Sequence, residues 1–268
     1  MRRFSQTCVD AAFPVRCLHC EQMYYRQRSK DAAAHAGPGE LYGFGALMAD
    51  YLCTRCSDLY EPVQTPLCHS CGRPFISQQG VDHECPDCLK HAFGFDTARA
   101  SGLHEPPLKT LIHQFKYQGR AELARPLGRV LWQALQRFYD WRSFDLVLPV
   151  PLHWFRRCRR GFNQAALLLR QWAGLADEQG VIFNKSVVSE KVLLRRRHTP
   201  PQTGLGKKRR VSNLKNAFSV NNPKQVRNKR ILLIDDVLTT GSTVDACSKV
   251  LKSAGAASID VLTVARAV

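Results

Sequence analysis

The run Ile231-Leu232-Leu233-Ile234-Asp235-Asp236-Val237-Leu238-Thr239-Thr240-Gly241-Ser242-Thr243 sets two carboxylates at the end of an apolar stretch and follows them with small hydroxyl residues. A turn of that kind, opening a helix at its positive end, is suited to an anion. Backbone N–H groups of Thr239 to Thr243, with the hydroxyls of Thr239, Thr240, Ser242 and Thr243, can surround a 5-phosphate, and Gly241 lets the backbone come close to it. Asp235 and Asp236 repel a phosphate, but they accept hydrogen bonds from ribose 2- and 3-hydroxyls and could keep Mg²⁺ nearby. The chemistry is that of a ribose 5-phosphate, with Asp235 and Asp236 as the catalytic candidates if the chain is an enzyme. Ser and Thr before a helix can also be plain N-caps; it is the whole run that points to the sugar phosphate. No G-x-x-x-x-G-K-[ST] sequence occurs, so ATP-driven work falls to a partner.

A second chemistry belongs to the thiols. Eight of the eleven cysteines form four Cys-x-x-Cys pairs, each able to offer two thiolates to one metal ion. Cys68 and Cys71, then thirteen residues, then Cys85 and Cys88 have the spacing of a zinc ribbon. Cys17 and Cys20 are separated from Cys53 and Cys56 by thirty-two residues, a wider spacing that predicts a second zinc. Pairing across the two sets, or replacement of a thiolate by His19, His69 or His83, stays open at this point, and Cys8, Cys158 and Cys247 fall outside the pattern.

The chain of 268 residues carries 39 Lys and Arg against 22 Asp and Glu, a formal charge of +17, which favours polyanionic partners such as nucleic acid or phosphorylated ligands. Arg2 and Arg3 are not followed by an apolar signal region, and no run approaches a membrane span, so the expected location is the cytoplasm. Arg156, Arg157, Arg159 and Arg160 crowd what reads as a short turn between a strand and a helix, where an anion would relieve their repulsion. A solvated charge run is the alternative. The stretch Arg195 to Lys215 is also basic; it suits departing pyrophosphate, a single-stranded backbone or a plain solvated linker, and Tyr117, Trp154 and Phe162 lie in neighbouring segments.

These groups need a scaffold, and the apolar pattern supplies one. Residues 1–92 read as a cysteine-rich zinc-binding module interrupted by an inserted, mobile loop from Arg26 to Gly39. Residues 93–268 read as one α/β domain. Phe95 to Leu103 predicts a strand or hairpin, and Pro107 to Tyr117 and Pro126 to Tyr139 predict amphipathic helices. Beyond them, Asp145 to Val150, Val187 to Leu194, Arg230 to Ile234 and Ile259 to Ala265 read as strands, with helices over Asn163 to Leu175 and Ser242 to Ser253. Strand, loop and helix in alternation imply a parallel sheet flanked by helices.

Ile231 to Thr243 resembles the phosphoribosyl pyrophosphate signature of type I phosphoribosyltransferases. Leu148-Pro149-Val150-Pro151-Leu152-His153, Arg160-Gly161-Phe162-Asn163-Gln164, His198-Thr199-Pro200-Pro201-Gln202 and Leu111-Ile112-His113-Gln114-Phe115-Lys116-Tyr117 narrow the resemblance to the ComF/GntX family of competence-associated, amidophosphoribosyltransferase-like proteins with a double zinc ribbon. It covers nearly the entire chain. The resemblance implies that the loop at Pro149 to Pro151 stands where enzymes of this fold hold pyrophosphate, making His153, Arg156, Arg160, Gly161 and Asn163 anion-site candidates. It also implies that Arg195 to Gly204 occupies the place of a loop that covers the reacting sugar. The first functional reading is a DNA-uptake factor for natural transformation that binds phosphate ligands and single-stranded DNA, beside a helicase-like ATPase and recombination proteins. The second is an active Mg²⁺-dependent phosphoribosyltransferase using phosphoribosyl pyrophosphate, although no pocket for an acceptor base is legible.

Overall fold

Ile231, Leu232, Leu233 and Ile234 are sealed from solvent on both sides, as a strand between two helical layers requires. They begin β7 (Arg230–Leu238). In the computed structural model, which describes residues 14–26, 43–77, 80–196 and 217–268, β7 lies between β8 (Ser258–Arg266) and β4 (Leu146–Pro149), and β3 (Thr97–Leu103) completes the sheet beyond β8. All neighbouring pairs are parallel, with Ile231 opposite Ile259 and Leu146, and Asp235 opposite Thr263. The order β3-β8-β7-β4 bears out the parallel sheet.

Helices cover both faces. On one side α4 (Leu108–Tyr117) buries Leu108, Leu111, Ile112 and Phe115, the face expected from their spacing, and α5 (Ala124–Phe138) buries Leu127, Val130, Leu131 and Leu135. They pack with Leu232 and Ile234 of β7. On the other side α9 (Ser242–Ser253) packs through Val244, Cys247 and Leu251 against Ile231 and Leu233. The alternation along β7 thus feeds two separate cores.

Three elements depart from the pattern read in the sequence. The helix expected over Asn163 to Leu175 is two: α7 (Gln164–Leu169) and α8 (Trp172–Glu178). The end of α7 tightens, Arg170 N–H reaching back only to Leu167 O, and the break swings Trp172 into the interior, where its Nε1 donates to Gly128 O at 3.3 Å and its ring meets Trp132 and Phe183. The arginines at 156 to 160 lie on a short helix, α6 (Trp154–Arg160), rather than a turn. Between Val187 and Leu194 the polar turn at Ser189 to Lys191 intervenes, so the strand is the short β5 (Leu193–Arg195), paired antiparallel with β6 (Phe218–Val220).

The cysteine-bearing segment is built from one plan used twice. A knuckle follows the hairpin strand β1 (Val15–Arg16), whose partner is β2 (Met23–Tyr24). In it Cys17 N–H donates to Gln22 O and Glu21 N–H to Cys17 O; in the second knuckle Cys68 N–H donates to Arg73 O and Gly72 N–H to Cys68 O. The residue that turns each knuckle has positive φ, 61° at Glu21 and 63° at Gly72. The second pair of each set opens a short helix, α2 (Thr54–Ser57) after Cys53 and α3 (Pro86–Lys90) after Cys85, while α1 (Phe44–Met48) packs Phe44 and Met48 into the α4–α5 core. Residues 60–70 run along the β3 edge: Val63 N–H donates to Ser101 O, Leu103 N–H to Glu61 O and Ala98 N–H to Ser70 O. The inserted loop from residue 27 onward, Cys8 and the basic stretch at 197–216 lie outside the described residues.

A Cβ at Gly72 would stand 2.2 Å from Ala98 O, whereas one at Gly180, also at positive φ, meets nothing within 4 Å. Gly180→Ala should cost about 1 kcal/mol from backbone conformation alone. Gly72→Ala should cost roughly 3 kcal/mol or more in denaturant unfolding, because the knuckle must also separate from β3; equal losses would contradict the packing described.

Candidate functional site

Both carboxylates lie inside β7 rather than after it, since the strand keeps its pairing through Leu238, opposite Arg266. Successive strand residues project to opposite faces. Asp236 therefore points to the α4 side, where Lys116 Nζ meets its Oδ1 at 2.6 Å with both side chains largely covered. Asp235 belongs to the α9 side, where its charge contributes to raising the Cys247 thiol. One Asp235 oxygen accepts from the Asp236 backbone N–H at 2.9 Å. Burial first, and then the neighbouring Asp236 charge, push the Asp235 carboxyl up to about 7, against the opposing pull of Lys116. Lys116 is the site residue that its sequence surroundings give no role; at the penultimate position of α4 it gains one only because α4 lies against β7.

The phosphate-loop candidates follow at once. Thr239 is exposed, Thr240 and Thr243 are half-buried, and Gly241 and Ser242 are buried. Thr240 and Ser242 share a hydroxyl contact at 2.8 Å, Gly241 takes φ 76°, and α9 starts at Ser242. The loop is held from below by Arg266, a buried cation at the end of β8. Its guanidinium donates to Leu238 O at 3.1 Å, Thr239 O at 2.7 Å, Cys71 O at 3.2 Å and Cys71 Sγ at 3.6 Å. One side chain thus joins the phosphate loop to the second cysteine set, a link that no spacing in the sequence announced.

The basic-loop candidates gather at the same edge of the sheet, because Val150 N–H donates to Ile234 O beside Asp235. His153 is buried and caps α6 through Nδ1, which accepts from Phe155 N–H at 3.3 Å. Asn163 uses its amide to hold Val150 O at 3.2 Å, and Gly161, at φ 80°, ends α6 with its N–H on Arg157 O. Arg160 stands 4.8 Å over the Tyr117 ring and donates to Gln164 Oε1. Together with Lys116, Phe115 and Phe162 it lines a cavity of about 70 Å³. Arg156 lies on α6. The structure therefore sets Lys116 against Asp236 and beside Arg160, and gives His153, Gly161 and Asn163 framework contacts. A ligand beyond the carboxyl ends of parallel strands is where open α/β sheets hold one.

The thiols assemble as two sets of four, Cys17, Cys20, Cys53, Cys56 and Cys68, Cys71, Cys85, Cys88, each with all ligand atoms within 4.8 Å of one another. Sulfur separations of 3.9 Å for Cys20 and Cys53, 3.7 Å for Cys71 and Cys85 and 3.6 Å for Cys68 and Cys88 match the edge of about 3.8 Å for a tetrahedron with metal–sulfur bonds of about 2.3 Å. Both sets could hold a metal ion, and pairing across them is excluded. His19 is bonded to Thr110, and His83 to Val81 O with its ring on Phe75, so neither replaces a thiolate. Burial pushes the Cys71 thiol up, but the Arg266 charge together with hydrogen bonds from the Arg73 backbone, Arg266 and Cys88 leaves the group below its ordinary value. Burial likewise acts on Cys17, where backbone N–H groups around it prevail and bring it to about 7. Thiolates are the metal-binding form. No helix among the described residues is long and apolar enough to cross a membrane.

Comparison with known proteins agrees with this geometry. The phosphoribosyl transferase domain family matches residues 169–267. Competence protein F of Haemophilus influenzae is 34% identical over 259 residues, covering 95% of this chain and 98% of that protein. The DNA utilization protein YhgH of Escherichia coli K12 is 33% identical over 223 residues, covering 80% of this chain and 90% of its own length, and Competence protein ComFC of Streptococcus pneumoniae is 24% identical over 218 residues, covering 80% and 87%. The sheet and its loop thus form a phosphoribosyltransferase-type fold.

Because the Asp235 value of about 7 exceeds its ordinary 3.8, its contribution to stability is full below pH 3.8 and is lost as pH rises through 7. Asp235→Asn should raise Tm above wild type at pH 8 in ligand-free protein, with the gain shrinking as pH falls from 7 toward 4; a gain independent of pH would contradict the assignment. Arg266→Gln should speed amide exchange at residues 239–243 by tenfold or more and loosen metal at the second cysteine set, leaving the first set unchanged.

Proposed function

The chain belongs to the competence protein F family, and from that premise we propose that it handles single-stranded DNA during natural transformation, with a phosphoribosyltransferase-type loop that binds a phosphate ligand. The observation that carries the reading is the face around α6. Trp154, Phe155 and Tyr117 expose 66%, 50% and 51% of their surface beside the exposed Arg157 and the Arg160–Tyr117 pair. Exposed large aromatics set among cations provide stacking planes for bases and counter-charges for the intervening phosphates, without reading sequence. The excess of positive charge supports the same reading, as do the relatives whose names record competence and DNA utilization.

The loop at Thr239 to Thr243 takes the 5-phosphate of a ribose phosphate, and Asp235 and Asp236, on opposite faces of β7, flank its hydroxyls, with Mg²⁺ as counter-ion. Zinc fills both cysteine sets, since four thiolates in a tetrahedron suit it, and it supplies folding free energy to a segment with little core of its own. With no nucleotide-triphosphatase loop in the sequence, a helicase-like ATPase and recombination proteins act as partners in the cytoplasm. A second reading, an Mg²⁺-dependent phosphoribosyltransferase, is favoured by the full carboxylate and hydroxyl complement at residues 235–243; release of pyrophosphate from phosphoribosyl pyrophosphate, abolished in Asp235→Asn/Asp236→Asn, would establish it.

Single-strand affinity measured across a salt series tests the first reading. Trp154→Ala should weaken an oligonucleotide by about 1–3 kcal/mol, and Arg157→Ala should lower the slope of log affinity against log salt by about 0.7. The double Asp variant should bind DNA as wild type does. Affinity and salt slope unchanged in Trp154→Ala and Arg157→Ala would remove DNA from this face.

A further inference from the structure

The two cysteine sets share a plan but not an environment. In the second, Cys68 and Cys85 are sealed from solvent and Cys71 keeps 5% of its surface, while the Arg266 guanidinium donates to Cys71 Sγ at 3.6 Å and the Cys85 N–H to Cys68 Sγ at 3.3 Å. Its most open thiol, Cys88, is half-buried and lies 3.6 Å from the sealed Cys68. In the first set Cys17 and Cys56 are buried, but Cys20 is exposed and Cys53 half-buried, with their sulfurs 3.9 Å apart. Oxidation selects a sulfur that is ionised and open to solvent, and a disulfide forms when a second thiolate stands within reach of it. Metal binding supplies the ionised form, and Cys20 and Cys53 supply the access and the spacing.

We propose that Cys20 and Cys53 form a redox-modification site for hydrogen peroxide, whose oxidation to a disulfide releases the metal of the first set and loosens α4. It rests on the reading that zinc fills that set. The Cys20 thiolate attacks one peroxide oxygen, the O–O bond breaks, and a sulfenic acid and hydroxide result. The Cys53 thiolate then attacks the Cys20 sulfur, the S–S bond forms and a second hydroxide leaves. The two sulfurs give up two electrons, the peroxide takes them, and two protons from solvent turn the hydroxides into water. Cys17 and Cys56 are left as two ligands where zinc takes four. The knuckle between Cys17 and Cys20 is also where α4 is tied, since Gln114 Nε2 donates to Leu18 O at 2.8 Å and His19 Nδ1 meets Thr110 Oγ1 at 3.0 Å. Lys116, which pairs with Asp236, follows Gln114 by two positions. Loss of the first metal therefore frees the helix that carries this lysine, whereas the second set keeps its own metal beside Arg266.

The test treats the full, zinc-loaded chain with hydrogen peroxide, follows released zinc with a metal-binding dye and maps disulfides by peptide mass spectrometry. Half of the zinc should leave about tenfold faster than the rest, together with a Cys20–Cys53 disulfide, and dithiothreitol with added zinc should reverse both changes. Amide exchange at residues 108–117 should rise severalfold on oxidation and fall again on reduction. Cys20→His keeps a metal ligand but has no sulfur, so its first-set zinc should leave no faster than that of the second set; if this variant fails to load zinc, the wild-type disulfide map decides alone. Zinc leaving both sets together, or a first disulfide between Cys68 and Cys88 or within a Cys-x-x-Cys pair, overturns the proposal. Unchanged exchange in the oxidised chain removes the link to α4. A chain that holds no zinc and still joins Cys20 to Cys53 under peroxide would remove the zinc reading and leave the modification site standing.

Discussion

Strand β7 carries four residues without solvent contact and, two positions later, an ion pair in which Lys116 meets Asp236 at 2.6 Å. A carboxylate taken that far from water needs a fixed counter-charge, and its neighbour Asp235 compounds the cost. The position of α4 is therefore the constraint on which the site depends. That position is braced from the first cysteine set: Gln114 donates to Leu18 O, and His19 is bonded to Thr110. The second set braces the same carboxyl end of the strand, through Arg266 and the carbonyls of Leu238 and Thr239. The two cysteine sets thus hold the carboxylates and the hydroxyl loop from two sides.

This arrangement explains why so small a cysteine unit is joined so closely to the sheet. Neither knuckle has a large apolar core; among the described residues the cluster around Cys68, Cys71 and Cys85 is joined by Phe75, Cys88 and Phe93. Their stability is borrowed from α4, α5 and the β3 edge, and the rigidity returns as a fixed loop and a fixed lysine. A preformed site of this sort loses less entropy when a ligand enters than one that must be ordered at the moment of binding. The α6 face lies at the same carboxyl edge of the sheet, so a strand stacked on Trp154 would pass within reach of the Lys116–Asp236 pair.

Much of this was legible in the residues because the signals were local. The apolar positions of α4 and α5, the β7 run, the glycine at 241 and the cysteine spacings each encode their element within about a dozen residues. What escaped was non-local. Lys116 and Asp236 are separated by 120 positions, and Arg266 and Cys71 by 195. Trp172 breaks a continuous helical pattern because packing against the Trp132 and Phe183 rings draws it inward, a tertiary contact that overrides local periodicity. Asp235 and Asp236 look like one paired motif in sequence, yet a strand sends them to opposite faces.

If the loop opening α9 holds a 5-phosphate beside the carboxylates, the phosphorus resonance of a bound sugar phosphate must report it. Phosphorus NMR of ribose 5-phosphate titrated with the chain and Mg²⁺, compared with Gly241→Val, tests it directly. A saturable shift of the phosphate resonance is expected in the wild type and none in the variant, in which a β-branched residue at φ 76° against the Phe93 ring displaces the loop while amide signals of the sheet stay at their wild-type positions. A shift that persists in Gly241→Val, or none in the wild type, would contradict it.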